Sequence, residues 1–175
     1  SIGMMLVQSV VNSFGSEALA GFSAAMRIDS LCIVPFAAFG NALSSYTAQN
    51  IGAGKPERVT EGFRDANLLV AICSAALCVS LKLGYRPMIG FFLGDNATQT
   101  ALATGEGYTS FIAWFFCWIG FKMAVDGLLR GAGDMNLFTI ANLVNLTLRV
   151  AVAMIFAPQY GIQMVWYAVP MGWFA

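Results

Sequence analysis

The sequence has no histidine, and only 10% of its 175 residues are charged. An ordinary soluble domain carries about 25% charged residues. Without histidine, no imidazole can act as a metal ligand, a general base or a proton relay. The nine basic and nine acidic residues cancel, so no basic surface for nucleic acid is indicated. With no nucleophile motif and no paired acids either, the sequence argues against an enzyme and against a nucleic-acid-binding protein.

Cysteine is also scarce. All four cysteines lie inside apolar segments, at Cys32, Cys73, Cys78 and Cys117. None has the C-x-x-C spacing of a metal or redox site. We interpret them as small buried hydrophobic residues. The sequence therefore predicts no metal site and no cofactor.

Hydrophobic residues are abundant, at 58% of the chain. A globule of this size cannot bury that much apolar surface, so lipid must solvate part of it. Five apolar segments and the start of a sixth occupy residues 1–14, 21–50, 62–82, 97–129, 136–157 and 163–175. The middle segments exceed the ~20 residues that cross a bilayer. We predict an all-α polytopic transmembrane bundle, and expect a fragment because the two end segments are shorter than a span.

The breaks between these segments contain residues that end or begin helices. Candidate helix ends are Gly15, Gly84 and Gly161, and candidate N-caps are Asp95, Asn96 and Asp134. Residues 90–94 are too few to span a membrane, and we predict a separate short segment that lies at the interface or packs against the bundle. In the most polar break, Gly52 and Gly54 can take positive φ and Pro56 suits the first turn of the next helix. That pattern predicts a tight turn between two helices.

Two of these turns carry a family resemblance. The run Gln49-Asn50-Ile51-Gly52-Ala53-Gly54-Lys55, followed by Arg58, resembles the loop after the second helix of a lobe in multidrug and toxic compound extrusion (MATE) transporters. The run Leu129-Arg130-Gly131-Ala132-Gly133-Asp134 resembles the turn between the fourth and fifth helices of that lobe. Both occur in the right order, so the resemblance covers essentially the whole chain.

The resemblance implies that residues 1–175 form the C-terminal lobe of a two-lobe, twelve-span secondary transporter in the cell membrane. Such proteins export organic, often cationic, compounds in exchange for Na⁺ or H⁺ by alternating access. The implied partners are membrane lipid, the missing N-terminal lobe and a small-molecule organic cation. Residues 1–14 lack the acid that some members place in the first helix of this lobe. Alternatives are a lipid-linked saccharide flippase of the same superfamily and a structural or pore-forming membrane subunit.

Basic residues predict the orientation. The two motif turns and their flanks contain Lys55, Arg58, Arg64 and Arg130, whereas the opposite side has Lys82 and Arg86. Because cytoplasmic loops carry an excess of Lys and Arg, we expect both motif turns in the cytoplasm.

Three ionisable residues follow one stripe of the fourth segment. Lys122, Asp126 and Arg130 stand at i, i+4 and i+8. In one interpretation they form a structural ladder in which the Asp126 carboxylate compensates both neighbours. In the other, Asp126 exchanges a cation. Buried ionisable groups in membranes often mark functional sites, so both interpretations make the stripe a candidate.

Further polar residues share helix faces. The fifth segment carries Asn142, Asn145 and Arg149 on one face, and we expect Asp126 or a group outside the chain to compensate Arg149. Gln8 and Asn12 lie one turn apart on the first segment, and Asn41 and Ser45 on the second. These residues are candidates for contact with substrate or coupling ion, or for hydrogen bonds between helices. Arg27 and Asp29 are expected to be hydrated at the membrane interface.

Overall fold

A computed structural model describes residues 2–174, except the side chains of residues 2–4, 96 and 174. Ser1 and Ala175, at the ends of the first and last predicted segments, lie outside the described residues. The described residues form seven α-helices: α1 (Ile2–Asn12), α2 (Ser16–Gly52), α3 (Pro56–Leu93), α4 (Gln99–Ile112), α5 (Phe116–Ala132), α6 (Met135–Tyr160) and α7 (Gln163–Phe174). Short 3₁₀ turns at Gly94–Asn96 and Ala113–Phe115 precede α4 and α5.

Four stretches are long and apolar enough to cross a membrane: Ser16–Gly52, Pro56–Leu93, Gln99–Ala132 and Met135–Tyr160. The third comprises α4, the 3₁₀ turn and α5. In the described part of the chain, α1 and α7 are shorter, with 11 and 12 residues. The all-α polytopic bundle is confirmed.

Large apolar side chains cover the outer face of α3. Leu68, Ile72, Val79 and Leu83 recur at helical spacing and are all exposed, Leu83 by 83%. Water would solvate such a continuous stripe unfavourably, whereas acyl chains are as apolar as the side chains themselves. This face of α3 is therefore an apolar surface that the other described residues leave uncovered.

Helix α2 lies against α3, α4 and α5. Glycine residues allow the backbones of α2 and α5 to come close together. A Cβ atom on Gly127 would lie 2.2 Å from the carbonyl oxygen of Gly40, and one on Gly131 would lie 2.4 Å from that of Ser44. Small residues of this kind let helix backbones approach closely in membranes. The G-x-x-x-G pattern at Gly127 and Gly131 is therefore a packing face within the chain.

The two motif turns have the predicted compact form. Gly54 has φ 70° and Gly133 has φ 80°, values that favour glycine. The Asp134 carboxylate accepts a hydrogen bond from Leu137 N at 3.1 Å, which confirms it as an N-cap. Gly52 is the last residue of α2 and lacks a positive φ, so that part of the prediction is wrong.

Both motif turns lie at the same end of the bundle, because the last turn of α5 packs against the last part of α2 through Gly131. We call this the turn end. The side chain of Asn50 donates from Nδ2 to Tyr46 O at 2.8 Å. The backbone carbonyl of Asn50 accepts from Lys55 N at 2.9 Å. The motif amide thus stabilises the end of α2.

The opposite end departs from the prediction in two places. Helix α3 continues through Gly84 to Leu93, so residues 90–94 are not a separate segment. The longer helix buries Ile89 and Leu93 in the core, which outweighs the ~1 kcal/mol cost of a helical glycine. Thr98, rather than Asp95, caps α4, since its hydroxyl accepts from Ala101 N at 3.3 Å. The side chain of Asn96, the other predicted cap, lies outside the described residues.

Candidate functional site

A hydrogen-bonded group of charged and polar side chains joins α5 to α6. Lys122 Nζ donates to the Asp126 carboxylate and, at 2.6 Å, to Asn142 Oδ1. Asn142 Nδ2 lies 3.5 Å from the other Asp126 oxygen and 2.9 Å from Phe138 O. We call Lys122, Asp126 and Asn142 the Lys122 cluster. Each member bonds to the other two.

Arg130 extends this group toward α2. Its Nε donates to the backbone carbonyl of Asp126 at 3.3 Å, and its terminal nitrogen donates to Asn41 Oδ1 at 3.1 Å. The expected ladder is therefore wrong in one respect, because the Asp126 carboxylate bonds to Lys122 and not to Arg130. That carboxylate bonds to Lys122, on the preceding turn of α5, and to Asn142 on α6.

A cavity of about 280 Å³ lies beside the Lys122 cluster, between α5, α6 and α7. Lys122 and Asp126 contribute to its wall together with Asn145, Trp118 and Trp173. Asn142 and Asn145, which are predicted to share one face of α6 with Arg149, thus lie close to Lys122 and Asp126. Arg149 lies in a different part of the bundle.

Arg149 instead faces Asp29 and Tyr108. Asp29 is only 5% exposed, so the expectation that it is hydrated at the interface is wrong. The carboxylate interacts electrostatically with Arg149, while Asp126 belongs to the Lys122 cluster and is not the partner of Arg149. This electrostatic attraction therefore links α2 to α6.

The three side chains line a partly enclosed cavity of about 150 Å³, which we call the Asp29 cavity. Asp29 Oδ1, the Tyr108 hydroxyl and Arg149 Nε are all buried and have no hydrogen-bond partner within the described residues. The Tyr108 ring packs edge-on against Phe22, with centroids 5.2 Å apart. Burying polar atoms without partners is costly, so these groups contribute less to stability than a closed hydrogen-bonded network would.

A larger open groove of about 780 Å³ adjoins the Asp29 cavity. Its wall includes Gln8 on α1 and Ser23 and Arg27 on α2. Met26 and Ser30 line both the groove and the Asp29 cavity, so the two adjoin at these residues.

The remaining candidates stand apart from these sites. Asn12 is exposed at the end of α1, and Ser45 and Gln49 are exposed on the last part of α2. The structure thus joins Asn41, Lys122, Asp126, Asn142 and Asn145 in one region, and places Gln8 in the groove.

Sequence reasoning missed Asp29 and Tyr108. A signal for Asp29 was present, because Phe22, Ala25, Asp29, Cys32 and Phe36 recur at spacings of three and four and form one helix face. All five are buried. An acid in the middle of an otherwise apolar face is a candidate for a buried functional carboxylate.

Comparisons with known proteins agree with this architecture. The MatE family profile matches residues 1–155. The probable multidrug resistance protein YpnP of Bacillus subtilis is 33% identical over 143 residues, which are 82% of this chain and 32% of that protein. A protein named FAD transporter from Shewanella oneidensis is 23% identical over 90 residues, or 51% of this chain and 20% of that protein. The chain thus spans about a third of YpnP.

Solved structures share the fold. A MOP superfamily transporter from Pyrococcus furiosus matches with a TM-score of 0.88 and 21% identity, covering 99% of this chain and 38% of that one. A MATE transporter matches in its outward-facing form (TM-score 0.87, 22% identity, 98% and 39% coverage) and its inward-facing form (0.86, 22%, 97% and 38%). Together with the family profile, these findings show that the chain belongs to the MatE family, whose members are transporters and not enzymes.

Proposed function

We propose that this chain forms one lobe of a secondary transporter that exports organic, often cationic, compounds in exchange for Na⁺ or H⁺. The second lobe is contributed by the rest of the protein, and the substrate binds between the lobes. Rocking of one lobe against the other gives alternating access. A lobe whose fold fits both an outward-facing and an inward-facing relative suits such rigid-body movement.

The observation that carries the proposal is the open groove. It mixes the polar side chains of Gln8, Ser23 and Arg27 with the apolar side chains of Leu31 and Phe92. Lipid would solvate these polar groups poorly, so they face a second lobe or a water-filled cavity. A large amphipathic groove of this kind suits amphipathic organic molecules.

The groove also constrains where a cationic substrate finds its counter-charge. Among the described residues that line it, Arg27 alone is charged. A cation would be repelled by Arg27, so the N-terminal lobe has to supply the attracting carboxylate. Gln8 then contributes a neutral hydrogen-bonding contact on this side of the substrate.

The flippase alternative depends on free basic groups that would meet phosphate. Lys122 is already compensated by Asp126 and Asn142, and Arg149 faces the partly enclosed Asp29 cavity. Neither cation is presented on the open groove. Of the two cations on which the flippase alternative relies, neither is therefore available at the groove, where Arg27 is the one described charge that could meet a phosphate.

We further propose that the protein is a multi-pass protein of the cell membrane, with both motif turns in the cytoplasm. A single cysteine introduced at the exposed Glu57 of the full-length protein tests this orientation. An impermeant maleimide should label it in everted vesicles and not in intact cells. A cysteine at exposed Asp95, at the opposite end, is the matched control and should behave in the reverse way.

Transport is tested with the full-length protein and ethidium, a fluorescent organic cation. Everted vesicles that contain the protein should accumulate ethidium when a proton or sodium gradient is imposed, and collapse of that gradient should release it. Vesicles without the protein provide the baseline. Accumulation equal to that baseline under both gradients would overturn export of this organic cation.

A further inference from the structure

The Asp29 cavity buries a carboxylate, a phenol and a guanidinium, with Asp29 Oδ1 and Arg149 Nε lacking a hydrogen-bond partner among the described residues, and the proposed antiport leaves its coupling site open. We propose that Asp29 is the proton-binding site of this lobe, with Arg149 and Tyr108 as its partners. The proposal rests on the proposed antiport and deepens it, since it names both the coupling ion and the carboxylate that binds it.

The geometry of the cavity makes Asp29 Oδ1 the atom that can accept a proton. Oδ1 of Asp29 and the hydroxyl of Tyr108, on side chains 5% and 0% exposed, have no partner among the described residues. A proton added to Oδ1 forms one O–H bond and converts the carboxylate to a neutral acid, without any change in oxidation state. The new O–H is a donor, and the adjacent Tyr108 oxygen is an acceptor that can receive it.

The cavity favours a proton over a sodium ion. A hard metal cation is held by several oxygen ligands at close range. The wall offers the oxygens of Asp29, Ser30 and Tyr108, and Arg149 opposes added positive charge of either kind, but three oxygen-bearing side chains are too few for the ligand shell of a metal cation. A proton requires a single oxygen and removes no space from a cavity of about 150 Å³.

The groups that face Asp29 are few. Arg149 on α6 and Tyr108 on α4 interact with its carboxylate electrostatically, and Cys32 is a neighbour on α2 itself. The wall residues contributed by α1, α5 and α7 are Val7, Ile119, Val169 and Trp173, which do not titrate. Arg149 is therefore the group whose attraction changes when Asp29 gains or loses its proton.

This arrangement connects proton binding to the substrate groove. With Asp29 ionised, attraction to Arg149 draws α2 toward α6; with Asp29 neutral, that attraction is lost. Met26 and Ser30 stand between the cavity and the groove and line both. A change in the spacing of α2 and α6 thus alters the groove, and Ser30 lies on the short route by which the proton reaches Asp29.

Infrared difference spectroscopy tests the site without requiring transport. Purified full-length protein in lipid is titrated from alkaline to acid pH in choline chloride. We expect the band of a protonated carboxylic acid in apolar surroundings, lost in Asp29→Asn and retained in Asp95→Asn, which removes an exposed aspartate. Asp29→Glu, which keeps a carboxyl group, should shift the band and decides the question if Asp29→Asn does not fold. An unchanged band in Asp29→Asn, or in Asp29→Glu, would overturn the proposal.

Replacing choline by sodium distinguishes the two ions. The band should be the same in both salts, whereas a band suppressed by sodium would show that Na⁺ competes at Asp29 and would overturn the assignment to a proton.

Transport of ethidium then tests coupling. In Asp29→Asn we expect loss of accumulation driven by a pH gradient, while ethidium counterflow without a gradient persists; Asp95→Asn should retain both. Gradient-driven accumulation in Asp29→Asn equal to wild type would overturn the proposal. A wild-type protein that transports no ethidium contradicts the proposed export, and the infrared band still decides whether Asp29 binds the proton.

Discussion

The Lys122 cluster and the Asp29 cavity solve the same physical problem in opposite ways. Each contains one carboxylate and a cation from the membrane-spanning part of the bundle. In the Lys122 cluster, the ammonium and the carboxylate are bonded to each other and to Asn142. In the Asp29 cavity, the carboxylate and guanidinium face each other across space, with Asp29 Oδ1 and Arg149 Nε unpartnered.

The difference indicates different tasks. A closed network has low energy in one arrangement and resists rearrangement, because breaking the Lys122–Asp126 pair leaves a buried charge uncompensated. An open arrangement has bonds still to form, so its members can respond to a proton or to movement of a helix. We therefore assign structure to the Lys122 cluster and the response to the Asp29 cavity.

The largest expected effect comes from breaking the closed network. Asp126→Asn leaves the Lys122 ammonium half-buried without a counter-ion, which is expected to cost about 3–5 kcal/mol. The full-length variant should express poorly and unfold at a lower temperature in detergent. A double variant, Lys122→Met with Asp126→Asn, removes both charges and should recover much of that loss.

Normal expression and unfolding of Asp126→Asn, with loss of ion-dependent efflux, would instead make Asp126 a coupling residue. Normal efflux as well would contradict both roles.

The close contact between α2 and α5 gives the second effect. Gly127→Val would drive side-chain atoms into the Gly40 backbone and separate the helices, and overpacking of this kind costs about 1–3 kcal/mol. Because Arg130 reaches Asn41 across the same interface, that hydrogen bond should also weaken. Unfolding of the purified full-length protein measures the loss.

Gly52→Ala is the matched control, since nothing lies within 4 Å of an added Cβ and its φ is not positive. It should be neutral or stabilising by up to about 1 kcal/mol. Equal losses in the two glycine variants would show that the α2–α5 contact is not close.

The contrast between the two sites also explains what the sequence could predict. The Lys122–Asp126 pair is local, one helix turn apart, and its spacing alone predicts the contact. The motif turns were predictable for the same reason, because glycine and Asp134 determine local backbone geometry. Bundle class followed from the length and composition of the apolar segments.

The Asp29–Arg149 relation joins residues 120 positions apart, so no spacing rule reports it. Which face of α2 points toward Arg149 depends on how the helix is rotated about its axis. That rotation is determined by packing against α4 and α5 through small residues. The end of α3 was missed for a similar reason. Gly84 is a weak local signal to stop, and burial of Ile89 and Leu93 by distant helices overrides it.

A third effect tests the neutral member of the closed network. Asn142→Leu removes hydrogen bonds to Lys122 and Asp126 while leaving the ion pair in place. A loss of about 1–3 kcal/mol in unfolding free energy is expected, since hydrogen bonds to charged groups are stronger than neutral ones. Unfolding that is unchanged from wild type would mean that Asn142 is a bystander.

The smallest effect on stability is expected in the open cavity. Tyr108→Phe keeps the ring that packs against Phe22 and removes only a buried hydroxyl that has no hydrogen-bond partner. Deleting an unsatisfied buried group relieves a desolvation cost, so the variant should be as stable as wild type or gain about 1 kcal/mol. Measuring the unfolding temperatures of Tyr108→Phe and Asn142→Leu in the same experiment compares the two sites directly, because each variant removes polar atoms from one of them. A loss in Tyr108→Phe as large as in Asn142→Leu would show that the hydroxyl is firmly bonded, and the distinction between an open and a closed site would then fail.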